Sequence, residues 1–571
     1  MTLIESLTFT KNRAGEQAGT TVAVPNVLLI VGPNESGKST ALQYIAGWFR
    51  GSFDTFDTRI FISGKFRPPE RALVQTFLES ATLRSQTEDE LILWTGDETG
   101  RIIHAPPISL NAFCSPESFE QKSWRTAHLT RFFIWPSLDS SQRMLQDVDA
   151  TQLLPENHFR NLHELLLGDK KKLRKVNDII RAASGFNVAV KPADQGKFRF
   201  IFHPIVPPEE EPSYILSESL RQYYADGRGA SDFGSGIRAF FGLALSIFAF
   251  EHKLIVLDEP ELHLHPPLVK RLAQELVKET IRRNGQLIVA THSPEFVAGC
   301  INSSQNVAMV RLTYSKVTGK STSTVVSKKD LEPFVLDRVI RNTDAINGIF
   351  HEYAVVVEGA FDKIAFSEFN LALQERENSN AIKDPHFIAI GGCMSAINVV
   401  SVMRKTGTPT ALVLDFDVLR LQWKHDHLSS LGVPAEKLEK ATKLLGECRF
   451  KIDSFNSQEN SQNIKLAPKE YLRQHGMNAF EGNSRSCFHE TIELLAEYGL
   501  FIIASGDLES FVASTLGFSR VNLSKEEIIV NQALRILEAN SFSIQDEPLI
   551  AQSNIWCFLG AINQWLKAHV E

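Results

Sequence analysis

The chain is short of everything that would make it a disulfide scaffold, a zinc ribbon or a membrane protein. Its six cysteines in 571 residues, Cys114, Cys300, Cys393, Cys448, Cys487 and Cys557, are scattered, with none in a CxxC pair. That spacing carries no zinc signal and suits a reducing cytoplasm. The longest apolar run, Ala239 to Phe250, is interrupted by Ser246 and is too short to span a bilayer. The opening MTLIESLTFT lacks the basic start and apolar centre of a signal peptide. Cytoplasmic placement without a membrane partner is the expectation. Nor is basic charge in excess: the formal net charge is -7, so contact with nucleic acid needs a local patch or a bound metal. The apolar fraction of 43% and charged fraction of 22% are ordinary for a soluble globular protein. A chain this long exceeds one core and divides into several units.

What is present begins with VLLIV, Val27 to Val31, which runs into GPNESGKST, Gly32 to Thr40, and then the helix-like ALQYIAGWF. Strand, glycine loop and helix is the context of a phosphate-binding loop, whose backbone N–H groups and helix N-terminus face phosphates. Lys38 would reach the β- and γ-phosphates and the Ser39 hydroxyl would take Mg²⁺, with Asn34, Gly37 and Thr40 lining the same loop. Residues 58 to 135 read as strands and turns, with ELILWTGDETGRIIHA as a hairpin. From about 140 to 225 the pattern reads as helical and polar, and includes KKKLRK at Lys170 to Lys175. That run is either a solvated helix face or a contact for nucleic-acid phosphates.

Next, FGSG puts Ser235 and Gly236 at the start of a long apolar helix, a turn whose free N–H groups suit a γ-phosphate. An apolar strand, Leu254 to Leu257, follows and ends in Asp258 and Glu259. The first acid would hold the Mg²⁺ water shell and the second would orient or deprotonate the attacking water. His263 and His265 lie in ELHLHPP without a convincing third ligand, which points to a positioning loop rather than a metal pair. A further strand, Gln286 to Ala290, ends at Thr291 and His292. His292 is either a γ-phosphate sensor or a core histidine.

Beyond residue 350 the device changes. VVVEGAFDK ends an apolar strand with Glu358 and sets Asp362 four residues on. An acid there either caps the next helix or points into the crevice where open α/β sheets keep their sites. ALVLDFDVL places Asp415 and Asp417 at another strand end, on one face if the chain stays extended. LFIIASGDLESF repeats the pattern with Asp507 and Glu509. Should these ends converge, two carboxylates about 4 Å apart repel by on the order of 4 kcal/mol at an effective dielectric near 20. Divalent cations with oxygen ligands, Mg²⁺ or Mn²⁺, are the simplest resolution.

The first set of motifs, in this order, resembles the ATP-binding-cassette ATPases of the SMC and RecF type over roughly residues 1 to 330. GPNESGKS stands for Walker A, LIVLDEP for Walker B, FGSG for the signature turn and THS for the histidine switch. The resemblance implies ATP sandwiched between Lys38 of one copy and Ser235 of another, hence a dimer. A glutamine loop is not clear, Gln142 being the nearest candidate, and no long heptad array occurs. Over roughly 350 to 515, VVVEGAFDK and LVLDFD resemble the Toprim pattern, a glutamate after one strand and a DxD pair after a later one. An ATPase cassette followed by Toprim looks like the OLD-family endonucleases, which include the Gabija nuclease and retron-associated relatives.

That likeness implies the fold class α/β, with an ABC-type ATPase domain in two parts, residues 1–140 and 229–340. A helical, dimerising insertion would occupy 141–228, and a Toprim nuclease domain with C-terminal helices 350–571. It implies a homodimer or homotetramer acting on DNA in antiphage defence, with a possible partner protein or retron nucleic acid; the alternatives are an SMC/RecF-like DNA-binding ATPase whose Toprim half serves recruitment, or a nuclease held inactive by a partner protein or nucleic acid. One Mg²⁺ would accompany ATP and two Mg²⁺ or Mn²⁺ ions would be held by Glu358, Asp362, Asp415, Asp417, Asp507 and Glu509. The family's active-site lysine falls on Lys567 before Lys525. Ser524 with Glu527 reads as a capping box.

Overall fold

The computed structural model describes residues 3–10, 19–50, 61–68, 143–149, 161–193, 196–208, 217–316, 319–459, 468–518, 524–538 and 554–569, with short strand segments between 90 and 134. The chain falls into two compact units, Met1–Lys328 and Lys329–Glu571.

In the first unit β1 (Ile4–Thr10) lies antiparallel between β2 (Thr20–Ala23) and β4 (Phe61–Phe66). The strand β3 (Val27–Val31) is buried at every residue, as its unbroken apolar run requires of a strand covered on both faces. It leads into α1 (Lys38–Arg50). The remaining strands of its sheet are β5 (Phe133–Ile134), β8 (Leu254–Asp258), β9 (Gln286–Ala290), β10 (Val307–Tyr314) and β11 (Ser321–Ser327). Their order is β11-β10-β3-β9-β8-β5, parallel throughout except for the β10–β11 edge pair. Parallel pairing sends the carboxyl ends of β3, β8 and β9 to one edge, where the phosphate loop, Asp258 and His292 follow them. The sequence hairpin around residue 100 is present, Trp94–Gly96 pairing antiparallel with Ile102–His104.

The stretch expected to be a helical insertion is only partly helical. Leu162–Gly168, α2 (Lys170–Ser184) and Glu218–Asp226 are helices. Between them β6 (Asn187–Ala193) and β7 (Lys197–His203) pair antiparallel within a four-stranded sheet. The polar composition hid two strands whose alternation, as in KFRFIFH, has period 2 rather than 3.6. The basic run is neither of its two simple readings. Lys175 turns inward to Glu279 at 2.5 Å and Glu251 at 3.4 Å, while Lys170, Lys171 and Arg174 are exposed. Glu279 also holds Arg283, whose side chain is fully buried.

The second unit carries a four-stranded, wholly parallel sheet of β12 (Tyr353–Val357), β13 (Pro385–Ala389), β14 (Thr410–Asp415) and β15 (Leu500–Ile503), ordered β13-β12-β14-β15. The chain leaves β12 through α5 (Ala360–Glu375) to β13 on one side, then returns through α6 (Cys393–Lys405) to β14 on the other. The strand order therefore reverses between β12 and β14, which opens a crevice at their carboxyl ends. After β15 comes α7 (Leu508–Leu516), and α8 (Ile555–Ala568) packs Trp556, Phe558, Leu559 and Ile562 into the same core as Phe366 and Phe369 of α5. Among the described residues no helix is long and apolar enough to cross a membrane.

Candidate nucleotide site and acidic centre

The loop after β3 is built on close approach. Gly32 has φ +141° and a Cβ there would stand 2.0 Å from the Leu312 carbonyl oxygen, so only glycine fits. Gly37 has φ +92°, and Glu35 holds a left-handed φ of +62°. Asn34 is exposed in this turn and Thr40 lies in the first turn of α1. Lys38 opens α1 and is 5% exposed. Its Nζ donates to the carbonyls of Gly32 (3.0 Å) and Pro33 (2.7 Å). Burial lowers its pKa to about 8, against the pull of Glu259, Asp258 and Glu261. The Ser39 hydroxyl donates to Asp258 Oδ1 at 3.3 Å, which joins two motifs 219 positions apart.

Glu259 follows with φ +46°, and its N–H donates to the Ala290 carbonyl at 2.9 Å. That bond brings the loops after β8 and β9 together, and His292 Nε2 lies 3.4 Å from Glu259 Oε1. His292 is half-buried, and burial together with nearby Lys38 lowers its pKa to about 4, so the ring is neutral at pH 7. Half-buried and beside Glu259, it lies with the strand-end acids and not in the core. Ser235 and Gly236 open the helix Ser235–Phe248, here α3, over an N-cap, Gly234, that makes no side-chain capping bond. A Cβ on Gly236 would meet the His263 carbonyl oxygen at 2.0 Å, so the signature turn rests on the HLH loop. His263 and His265 are both exposed there. Gln142 lies outside the described residues.

In the second unit the acids come together from separate elements. Glu358 directly follows β12; Asp362, 5% exposed, sits in the first turn of α5, where Gly359 leaves room for its carboxylate. The N-cap of that helix is Gly359, which has no side chain to cap with, and Glu358 stands one residue before it. Its carboxyl is raised to about 7, by burial first and then by Asp417 and Asp362, with Lys525 and Arg473 opposing. Asp415 ends β14 and is pushed well above the carboxylate range, by burial, Asp362, Glu358 and Asp507. Asp507 and Glu509 are buried beside it at the start of α7. Asp507 also caps that helix, accepting from the Ser510 N–H at 3.0 Å.

Two expectations are corrected. Asp415 and Asp417 do not share a strand face, because β14 stops at Asp415 and Asp417 belongs to a 3₁₀ turn, Phe416–Arg420. The Phe416 N–H is drawn to the Gly506 carbonyl (2.8 Å), which pulls the chain out of the extended form. Asp417 still reaches the cluster, with Arg473 Nε at 3.5 Å and Arg420 at 3.9 Å. The lysine at the acids is Lys525, not Lys567. Lys525 Nζ donates to Asp362 Oδ1 at 2.8 Å and lies 3.6 Å from Glu509 Oε1, whereas Lys567 is exposed in the last turn of α8. The capping box that looked merely structural sets it there: the Ser524 N–H donates to Glu527 (2.7 Å) and the Glu527 N–H to Ser524 Oγ (3.2 Å). Arg473 was missed altogether; its only signal was being a cation in an otherwise unremarked helix.

As they stand, no three His, Cys, Asp or Glu side chains among the described residues are close enough to hold a metal ion. The donor chemistry fits one all the same. All six donors are carboxylates, and those of Glu358 and Asp415 are raised by burial first and then by neighbouring acids, a repulsion that a divalent cation would relieve.

Fold and sites together define an α/β protein with a phosphate-loop nucleotide site in one unit and an acidic centre on a parallel sheet in the other. Residues 134–298 match the family model described as "AAA domain, putative AbiEii toxin, Type IV TA system", a span that includes Asp258, Glu259 and His292. Over 306 residues the chain is 24% identical to the Old nuclease of Escherichia phage P2, covering 50% of this chain and 49% of that protein. The alignment thus spans about half the relative's length. A second relative, protein ea59 of Escherichia phage lambda, is 50% identical over 44 residues, 8% of each chain. Among solved structures, an SMC head bound to the C-winged helix domain of ScpA covers 58% of this chain and 99% of its own, at 12% identity and TM-score 0.34. That likeness is too slight to bear on the fold, which rests on the strand order above.

Proposed function

We propose that this chain is a divalent-metal-dependent DNA endonuclease of Toprim type whose activity is regulated by ATP, working as a homo-oligomer in antiphage defence. The observation that carries the proposal is the gathering of buried and half-buried acids from the end of β12, from α5 and β14, and from the turns beyond β14 and β15, with Lys525 and Arg473 beside them. A fold tolerates such a cluster at a cost, and that cost makes sense where cations and phosphate are to be held. The partial similarity to a phage nuclease supports the same reading.

Glu358, Asp362, Asp415, Asp417, Asp507 and Glu509 would hold two Mg²⁺ or Mn²⁺ ions. Bound there, such ions supply charge neutralisation and an activated water. The chain's own residues do the rest. Without the ions the Glu358 carboxyl stands at about 7, so its proton would leave as a cation binds near neutral pH. Lys525 offsets the charge of Asp362 and Glu509, and Arg473 positions Asp417. In the first unit Lys38, Ser39 and Asp258 would bind MgATP, with Asn34, Gly37 and Thr40 along the loop. Glu259 would orient the water and neutral His292 would contact the γ-phosphate, while Ser235 and Gly236 of a second copy close the site. ATP would regulate cleavage rather than perform it.

The test is cleavage of plasmid, linear and single-stranded DNA by purified protein in Mg²⁺ or Mn²⁺, with and without ATP. Wild type should cut, Asp415→Ala should not cut yet still hydrolyse ATP, and Lys38→Ala should lose hydrolysis and the ATP response. DNA left intact by wild type under every condition defeats the nuclease reading.

A further inference from the structure

Between the loops that carry Glu259 and His292 stands an acid that neither reading of the motifs used. Glu261 Oε1 accepts two hydrogen bonds, from Thr291 Oγ1 and from the His292 N–H, each at 2.7 Å. Thr291 Oγ1 in turn accepts from the Ser293 N–H at 3.0 Å, and Ser293 Oγ caps the helix Pro294–Ser303. On its own side, the Glu261 carbonyl accepts from the Leu264 N–H at 2.9 Å. The backbone on either side is held in left-handed conformations, Glu259 at φ +46° and His263 at φ +67°.

These bonds cost the fold something. Burial raises the Glu261 carboxyl despite the two donors, and Oε2 is buried with no hydrogen-bond partner among the described residues. A side chain kept for stability alone would not leave a carboxylate oxygen buried and unsatisfied. Strained backbone on both sides points the same way, since strain persists where geometry matters.

We propose that Glu261 is a positioning residue of the ATPase site, tying the loop of Glu259 to the loop of His292 so that both stand correctly about the γ-phosphate and the attacking water. The inference rests on the ATPase reading above. Glu261 touches the backbone N–H of His292 and not its ring, so its effect falls on the placement of the neutral imidazole, 3.4 Å from Glu259. Loss of the tie should slow hydrolysis and leave ATP binding, which belongs to the loop around Lys38, nearly unchanged.

The experiment measures kcat and KM for ATP hydrolysis, with affinity for a fluorescent ATP analogue, in full-length wild type, Glu261→Leu, Thr291→Val and the double variant. Glu261→Leu keeps the volume and removes both accepted bonds, so kcat should fall about 30-fold with KM and affinity within about threefold. Thr291→Val removes one bond and should cost about fivefold. Because the two residues share that bond, the double variant should be no slower than Glu261→Leu alone. A Glu261→Leu kcat within about twofold of wild type, a rise in KM at unchanged kcat, or losses that multiply in the double variant would each overturn the proposal. If Glu261→Leu does not fold, Thr291→Val decides by the same criteria. Wild-type hydrolysis no faster than that of Lys38→Ala would defeat the ATPase reading and this inference with it. An active wild type with an unimpaired Glu261→Leu defeats this inference alone.

Discussion

Glu358→Gln should make the protein more stable, and only at high pH. The carboxyl of Glu358 moves from 4.5 to about 7 on folding. Below 4.5 it is neutral in both states and contributes nothing. Between 4.5 and 7 the unfolded chain ionises while the folded one stays protonated, so stability falls as pH rises. Above 7 the folded protein carries the full cost of holding the charge among Asp417, Asp362 and apolar surroundings. At 1.36 kcal/mol per unit that cost reaches about 3 kcal/mol. Glutamine keeps the shape and removes the charge. Urea unfolding in chelator, followed by tryptophan fluorescence, should therefore show the variant ahead by about 3 kcal/mol at pH 8 and by under about 1 kcal/mol at pH 5. Mg²⁺ added at pH 8 should stabilise wild type more than the variant, narrowing the gap. A variant no more stable than wild type at pH 8, or one with the same advantage at both pH values, would refute the claim that burial and the neighbouring acids hold the Glu358 carboxyl above its ordinary range.

Two further outcomes follow from the packing. Gly236→Ala puts a methyl group 2.0 Å from the His263 carbonyl, so the signature turn and the loop beyond Glu261 must part. A loss of about 1–3 kcal/mol and slower ATP hydrolysis should appear together in melting and kinetic assays. His163 is 2% exposed, stacks on Phe200 with ring centroids 3.8 Å apart, and burial lowers its pKa from 6.5 to about 4. Its neutral form contributes stability that is complete above 6.5 and lost as pH falls towards 4, about 3 kcal/mol in all. His163→Phe should flatten stability against pH across that window, and an unchanged slope would show that the ring is not desolvated.

The strands and loops that carry chemistry were legible in the residues themselves. VLLIV, LIVLD, QLIVA, YAVVV, TALVLD and LFII are short apolar runs with polar residues only at their ends, and each forms a strand of a parallel sheet, whereas the longer apolar run Ala239–Phe250 is mostly helical. Gly32 and Gly37 announce a backbone no other residue adopts. Acids placed at the ends of such strands, or one short turn beyond as Asp507 is, emerge at the carboxyl edge of a parallel sheet, so Asp258, Glu358, Asp415 and Asp507 could be found without coordinates.

Tertiary structure decided the rest, because those facts depend on neighbours distant in sequence. Whether Asp417 continued a strand was settled by the Gly506 carbonyl, 90 positions away, taking the Phe416 N–H. Which lysine meets the acids was settled by tertiary packing that brings Lys525 to Asp362, 163 positions away, a pairing no local pattern encodes. The strands inside the polar insertion surfaced only when β6 and β7 found each other. Glu261 looked like one more residue of a positioning loop until Thr291 and His292 came to its carboxylate. Residue types and spacing determined the chemistry this chain can attempt; pairing across distance determined which groups stand close enough to attempt it, since hydrogen bonds and charge repulsion act over ångströms and not along the sequence.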